Sequence, residues 1–378
     1  MNRVLITGAR APIALDLARS FAAAGWTPHL ADSIRPWAAR LARVAPLHRF
    51  APPRFAFDAF TADLAALVQR IDPAIIVPTC EEVFYVAAAG ERMGFAERVF
   101  APPLALLRTL HSKVEFARLA RAAGIPAPDT HRVSTKGELA CWRTRSTGFV
   151  FKPEFSRFAS HALVRPDPVQ LARLAPTPEA PWAVQAFVEG EELCLWSAAR
   201  AGEVIAFAAY RPLWRVGRSS SFYFAADRDP ALLRLARAIA AATGATGQLS
   251  FDVVRSADGA VVPIECNPRG VSGLHLFDAD PALALAIAGE GPLATPTADA
   301  RHLGLAMALL GAPQAIGGGR WREFRRDLAL SGDVLAGSGA QLGALLDAAR
   351  FTMVGLSRGR SASGQSTDDI EWNGEAIR

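Results

Sequence analysis

Apolar residues recur along this chain at more than one spacing, and the changes of spacing divide it. The run RVLITG is short and uninterrupted, as a strand buried on both faces requires. APIALDLARSFAAAGW then repeats its apolar positions at helical spacing and stops at Gly25. TPHLAD reads as a second strand ending at Asp32, a helix runs from about Phe57 to Arg70, and DPAIIVPT is a further short strand closed by a Pro-Thr turn. Strands alternating with helices predict a parallel, doubly wound sheet over roughly the first hundred residues, ended by Pro102 and Pro103.

Beyond that point the texture changes. SKVEFARLARAAG is a helical stretch stopped by Gly124 and the turn IPAP. From Phe149 onward come the short strands GFVFKP, WAVQAFV, EELCLWSAAR and EVIAFAAYR. A helix follows from about Pro230 to Thr243, and then the strands GQLSFDVVR and AVVPIEC. This pattern predicts α+β structure with antiparallel pairing. After the loop NPRGVSG an Ala- and Leu-rich region reads as helical to about residue 355, and the polar, Ser/Gly-rich remainder is expected to be mobile unless a ligand or partner pins it.

Composition narrows the classes. At 378 residues with 51% hydrophobic and 20% charged content, the chain can bury two or three cores; it has no run of eighteen apolar residues, and the pattern of MNRVLITGAR is not that expected of a secretory signal. A soluble cytoplasmic protein without a membrane partner is the expectation. Cys80, Cys141, Cys194 and Cys266 form no CxxC or Cys/His cluster, and the seven histidines show no HxxxH spacing, so neither disulfides nor zinc are expected. The net charge of +5 is spread over helix faces, which suits an anionic small molecule better than nucleic acid. Of 41 basic residues only Lys113, Lys136 and Lys152 are lysines, so a compact point charge is expected to matter where lysine survives.

The sharpest signal is GQLSFDVVRSADGAVVPIECNPRG. Taking Asp258-Gly259 as a two-residue type I′ turn sets Val253 opposite Ile264, Asp252 opposite Glu265 and Ser250 opposite Asn267. Alternation then puts Ser250, Asp252, Glu265 and Asn267 on one face, and Phe251, Val253, Ile264 and Cys266 on the other. Two carboxylates facing each other at ~5 Å repel by about 3 kcal/mol at an effective dielectric of 20. A hard divalent cation with oxygen ligands would compensate, and Asn267-Pro268-Arg269 adds an amide oxygen and a guanidinium suited to a transferring phosphate. A surface hairpin with two solvated acids is the alternative.

An acid followed thirteen residues later by Glu-x-Asn-Pro-Arg resembles the metal and phosphate motif of the ATP-grasp superfamily, and the likeness extends over roughly residues 1 to 290. The resemblance implies an N-terminal Rossmann-like domain (1–100), a two-lobed ATP-grasp domain (101–295, with lobes of about 101–183 and 184–295), a helical C-terminal region (296–355) and a flexible tail (356–378). It implies ATP and Mg²⁺ (or Mn²⁺) as cofactors, with Asp252, Glu265 and Asn267 as metal ligands. Lys113 and Lys152 take the family's two ATP lysine positions. Gln185, Ala186, Phe187 and Val188 take the hinge that holds the adenine edge, and Glu192 takes the ribose hydroxyls. Arg269, Lys152 and Asn267 are the implied catalytic groups. The implied reaction activates a carboxylate as its acyl phosphate and joins it to an amine, with ADP and phosphate as products. Homodimers are common in the family, and the sequence does not declare one.

One departure stands out: the family's glycine-rich loop after the second lysine is replaced by PEFSRFASHAL, where Ser156, Arg157, Ser160 and His161 are the candidate phosphate donors. For the acceptor, the candidates are Arg211, Arg215 and Arg218 with the serines at 219–221, then Ser272, Gly273 and His275, and on the first domain Thr79, Glu81 and Glu82. Two other functions remain open. LITGARAPIA with Asp32 resembles a dinucleotide fingerprint, as in an NAD(P)-dependent reductase or epimerase, but Arg10 and Ile13 stand where the second and third glycines belong. A non-catalytic ATP-binding sensor is the other.

Overall fold

The computed structural model describes residues 2–156, 162–215, 221–337 and 339–378. Strands β1 (Arg3–Thr7), β2 (Thr27–Asp32), β3 (Leu47–Arg49) and β4 (Ile75–Val77) form a parallel sheet in the order β3-β2-β1-β4. Val4, Leu5 and Ile6 are fully buried because helices cover both faces. Val4 and Ile6 pack with the helix Pro12–Ala23, and Leu5 packs with Phe60 and Leu64 of the helix Phe57–Ile71. Strand β3 and the helix Trp37–Ala42 were not expected from the sequence, since both are too short to show a period.

The second sheet joins β5 (Thr130–Val133), β6 (Phe149–Pro153), β7 (Leu163–Val164) and β8 (Trp182–Ala186) in the antiparallel order β5-β8-β6-β7. The third holds β9 (Glu191–Arg200), β10 (Glu203–Arg215), β11 (Ser221–Asp227), β12 (Gly247–Arg255), β13 (Val261–Asn267), β14 (Ala300–His302) and β15 (Gly332–Asp333). Its order is β13-β12-β9-β10-β11-β14-β15, antiparallel except for the last pair. Leu249, Phe251 and Val253 face the helices Lys113–Ala122 and Pro230–Thr243, while Trp196, Ala208 and Tyr210 face the first domain's helix Pro12–Ala23. The large sheet is therefore sandwiched between the first domain's helix on one face and the helices Lys113–Ala122 and Pro230–Thr243 on the other. No helix among the described residues is long and apolar enough to cross a membrane.

The hairpin register departs from expectation in an instructive way. Asp258 keeps a negative φ, so the turn is not type I′; Ala257, Asp258 and Gly259 form a three-residue loop with Gly259 at φ 83°. Arg255 accordingly pairs with Val261, and Val253 with Pro263 rather than Ile264. A bulge at Ile264 then restores the expected partners, Asp252 opposite Glu265 and Ser250 opposite Asn267. Ile264 leaves the core face and lines the cleft described below.

The C-terminal segment corrects a second expectation. Rather than lying loose, residues 366–375 are seated on the first domain, with Ile370 and Trp372 each 1% exposed. Two large apolar side chains in a polar stretch are enough to bury it, and Arg10 pairs with Asp369 at 2.6 Å. The helix Ala340–Ser357 lies on the helix Trp37–Ala42 and caps it: Asp347 accepts from the Trp37 and Ala38 amides at 3.0 and 2.9 Å. That contact requires Gly343, where a Cβ would lie 2.4 Å from the Trp37 carbonyl oxygen.

Candidate active site

The chain passes from the second sheet to the third through residues 187–190, between the end of β8 and the start of β9. Gly190 makes this crossing tight, since a Cβ there would lie 2.2 Å from the Arg255 carbonyl oxygen. Between the two sheets lies a cleft of about 400 Å³. Lys113, Lys152, Gln185, Ala186, Phe187, Val188, Glu192, Asp252, Glu265, Asn267 and Arg269 all line it.

Each of the charged groups is placed by a local feature. Ser112 caps the helix Lys113–Ala122, its hydroxyl accepting from the Glu115 amide at 3.1 Å, which starts the helix at Lys113. The Lys113 side chain, 2% exposed, donates to the carbonyls of Glu154 and Ser156 at 3.3 and 3.1 Å and to the Ser156 hydroxyl at 3.3 Å. Lys152 points from β6 to the opposite sheet, donating to the Ile264 carbonyl at 3.4 Å and to Glu265 Oε2 at 3.3 Å. The bulge thus presents both a carbonyl and a side chain to the cleft. Glu154, fully buried, receives Ser112 Oγ and Arg132, whose Nε lies 2.6 Å away, and so fixes the loop after Lys152.

The two hairpin acids are not equivalent. Burial works against an ionised Glu265, but Lys113 at 3.8 Å and Lys152 at 3.3 Å pull its pKa down. The Lys152 attraction alone is worth about 5 kcal/mol at an effective dielectric of 20, more than the repulsion between the two acids. Among the described residues Asp252 has no cation so close: its hydrogen bond comes from the Cys194 thiol, 3.2 Å away, and burial with the Glu265 charge pushes it up to about 6 against the more distant pull of Lys152 and Arg269. Burial in turn lowers Lys113 from its usual range, against the pull of Glu265. A carboxylate facing a carboxylate, the Asn267 amide within 3.4 Å of Glu265 Oε1, and no cation within ion-pair distance of Asp252 among the described residues fit a hard divalent cation. Among the described residues no three His, Cys, Asp or Glu side chains gather as a metal cluster, so such an ion would complete its shell with the Asn267 oxygen and non-protein ligands.

Arg269 is held from the first domain. Its Nε donates to Glu81 Oε1 at 2.6 Å and its Nη2 to Asn267 Oδ1 at 3.3 Å, and although burial opposes the charge, Glu81 holds the guanidinium above its ordinary pKa. Glu81 stands just after β4, so the candidate acceptor trio divides. Glu81 reaches the cleft's arginine, whereas Glu82 accepts from Thr7 Oγ1 at 2.8 Å and from the Thr79 amide at 3.0 Å as an internal strut.

The hinge offers less backbone than expected. The Ala186 and Phe187 amides donate to the Asp129 and Gly148 carbonyls at 2.8 and 2.9 Å, and among the described residues no acceptor meets the Val188 amide. Gln185 instead uses its side chain, donating to the Ile264 carbonyl at 3.1 Å and to Thr130 Oγ1 at 3.2 Å. Glu192 is paired with Arg215 at 2.6 Å. Ser221 and Ser272 line the cleft, and Arg211 is exposed. His275 does not line it: with Asp16 at 2.6 Å it faces a separate cavity of about 240 Å³. Arg157, Ser160, His161, Arg218, Ser219 and Ser220 lie outside the described residues.

Sequence reasoning missed the Arg269–Glu81 pair, the Ile264 carbonyl and Glu154. Only Glu154, two residues after Lys152, carried a local signal. The dinucleotide crevice of the first domain is filled by the chain itself. Arg10 donates to Asp32 from its amide at 2.8 Å, to Asp369 at 2.6 Å and to the Ser366 carbonyl at 2.7 Å, where a ribose and pyrophosphate would otherwise sit.

Solved structures that superpose on the chain include ligases and a biotin carboxylase domain. Phosphoribosylamine–glycine ligase from Thermotoga maritima superposes with a TM-score of 0.60 at 17% identity, over 78% of each chain. The chain has the ATP-grasp fold. L-amino acid ligase from Bacillus licheniformis gives 0.57 at 14% identity, over 78% of this chain and 75% of its own. The biotin carboxylase domain of Hydrogenobacter thermophilus 2-oxoglutarate carboxylase, a dimer solved with MgADP, ADP and bicarbonate, gives 0.59 at 14%, over 76% and 70%. No family model and no curated protein matches the sequence.

Proposed function

We propose that this ATP-grasp chain is an ATP-dependent ligase that activates a carboxylate as its acyl phosphate and joins it to an amine. One observation carries the reading: two of the chain's three lysines, from separate elements, converge on Glu265, while Asp252 opposite it has, among the described residues, no cation within ion-pair distance. Structural proteins seldom bury two like charges and two ammonium groups beside an open cleft, whereas a polyphosphate and its cation would balance them. The biotin carboxylase domain that shares the fold holds MgADP.

Asp252, Glu265 and Asn267 would hold Mg²⁺ or Mn²⁺, which supplies charge neutralisation to the phosphates when bound. The hinge at Val188 and the acid Glu192 would orient the nucleoside. Lys113, Lys152 and Arg269 bear on the transferring phosphoryl group as the substrate carboxylate attacks the γ-phosphorus and ADP leaves. The amine then attacks the acyl carbon, loses a proton and expels phosphate, forming the amide. Positioning and electrostatics carry the rate, so no protein nucleophile is required.

The test is release of ADP and phosphate from ATP with Mg²⁺, with and without pooled amino acids and small carboxylates, while mass spectrometry follows the mixtures. The expected result is release that requires a carboxylate and an amine, with a product lighter than their sum by one water. Tight ATP binding without turnover against any pool would favour a sensor, and no ATP binding would remove the reading.

A further inference from the structure

The C-terminal segment ends beside the nucleotide cleft, and one side chain makes the connection. Trp372 is 1% exposed and stacks on Phe84 of the first domain with ring centroids 4.6 Å apart. It also packs against His111, and it meets Phe155 edge-on at 5.2 Å, where the chain turns at Gly374 so closely that a Cβ would lie 2.6 Å from the Phe155 ring. Phe155 stands between Glu154 and Ser156, whose carbonyls accept from the Lys113 ammonium.

Glu154 is fixed by Ser112 and Arg132, whereas among the described residues Phe155 makes no hydrogen bond and is held by ring packing. We propose that Trp372 is a positioning residue of the nucleotide site, clamping Phe155 so that the carbonyls flanking it hold the Lys113 ammonium towards Glu265. The inference rests on the ATP reading above. The segment is tied down independently of this clamp: Arg10 holds Asp369, the Arg54 amide donates to the Asp369 carbonyl at 3.1 Å, and Tyr85 Oη donates to the Glu371 carbonyl at 3.1 Å. Docking of the segment and clamping of Phe155 are therefore separable by mutation.

The experiment measures MgATP binding to the full chain by calorimetry, alongside melting temperature, for wild type, Trp372→Ala, Trp372→Phe, Phe155→Leu and Asp369→Asn. Trp372→Ala is expected to weaken binding by about 10- to 100-fold, as a displaced positioning contact does. Trp372→Phe, which keeps a ring against Phe155, should stay within about threefold of wild type. Asp369→Asn, which loosens the same segment away from Phe155, should lower the melting temperature and leave affinity unchanged. Should Trp372→Ala fail to fold, Phe155→Leu, with Trp372 still seated on Phe84, is expected to show the same loss. Wild-type affinity in Trp372→Ala or in Phe155→Leu, or an equal loss in Asp369→Asn, would overturn the clamp. Absence of MgATP binding by wild type would instead overturn the nucleotide reading itself.

Discussion

The first domain's crevice and the cleft between the antiparallel sheets both look, by local pattern, like places for a nucleotide, and they differ in how their charges are balanced. At the crevice, Arg10 meets Asp32 and Asp369, Ser33 also reaches Asp369, and the C-terminal segment covers them. At the cleft, Asp252 and Glu265 face each other with both lysines on one of them. The difference lies in the pairing rather than in the net charge: each crevice acid is held by a cation and covered by the chain, whereas at the cleft both lysines hold Glu265 and, among the described residues, no cation lies within ion-pair distance of Asp252.

The most severe way to break the comparison is Glu265→Gln. It removes the group on which both lysines converge, so ATP-dependent turnover should fall by roughly 100- to 1000-fold, and the melting temperature should fall as well, because the two buried ammonium groups lose their counter-ion and that loss exceeds the acid–acid repulsion relieved. A coupled assay for ADP and a thermal melt check both halves, and wild-type turnover would end the metal assignment.

Paired lysine and arginine variants come next. Arg10→Met leaves Asp32 and Asp369 buried without their cation and should cost about 3–5 kcal/mol of stability with little change in ATP affinity. Lys113→Met should do the reverse, weakening ATP at least about tenfold with a small stability change. Urea denaturation and calorimetry on both proteins sharpen the contrast. If Arg10→Met were the variant that lost ATP, the roles assigned to the two regions would be exchanged.

A pH effect follows from His111, buried against Phe84 and Trp372, where burial lowers its pKa to about 4. The unfolded chain takes up this proton near pH 6.5 and the folded chain only near 4, so its contribution is full above about 6.5 and is lost as pH falls towards 4. The loss is on the order of 3 kcal/mol. Stability measured between pH 7.5 and 4.5 should fall less steeply in His111→Phe, and identical slopes would show that another group dominates.

The smallest expected effect concerns the hairpin turn. Gly259→Ala should cost about 1 kcal/mol for a positive φ in an otherwise open site and leave turnover intact, because the bulge at Ile264 separates the turn's register from that of the ligands. A change in turnover of more than a few fold would mean that the turn does set the acids.

The Ile264 bulge marks the limit of what could be read from the chain alone. The pairing of Asp252 with Glu265 was legible, yet for an incomplete reason: the assumed turn was one residue too short and the bulge supplied the difference. Nothing in alternating apolar positions announces a bulge, because its register shift is resolved only when β12 must also align with β9. The tail was misjudged for a related reason. Average polarity says nothing of whether Ile370 and Trp372 have a matching surface, and that surface is made by Phe84, His111 and Phe155, far away in sequence.

What the sequence by itself determined was whatever depends on neighbours in the chain: the alternation of strand and helix, the shared face of Ser250, Asp252, Glu265 and Asn267, and the start of a helix at Lys113 behind its Ser112 cap. Only the tertiary structure decided that Glu81 would hold Arg269, that Arg10 and Asp369 would close the crevice, and that Phe155 would meet Trp372. Backbone geometry is imposed within a few residues, whereas charge balance and burial are settled among groups separated by many residues, once the sheets have packed.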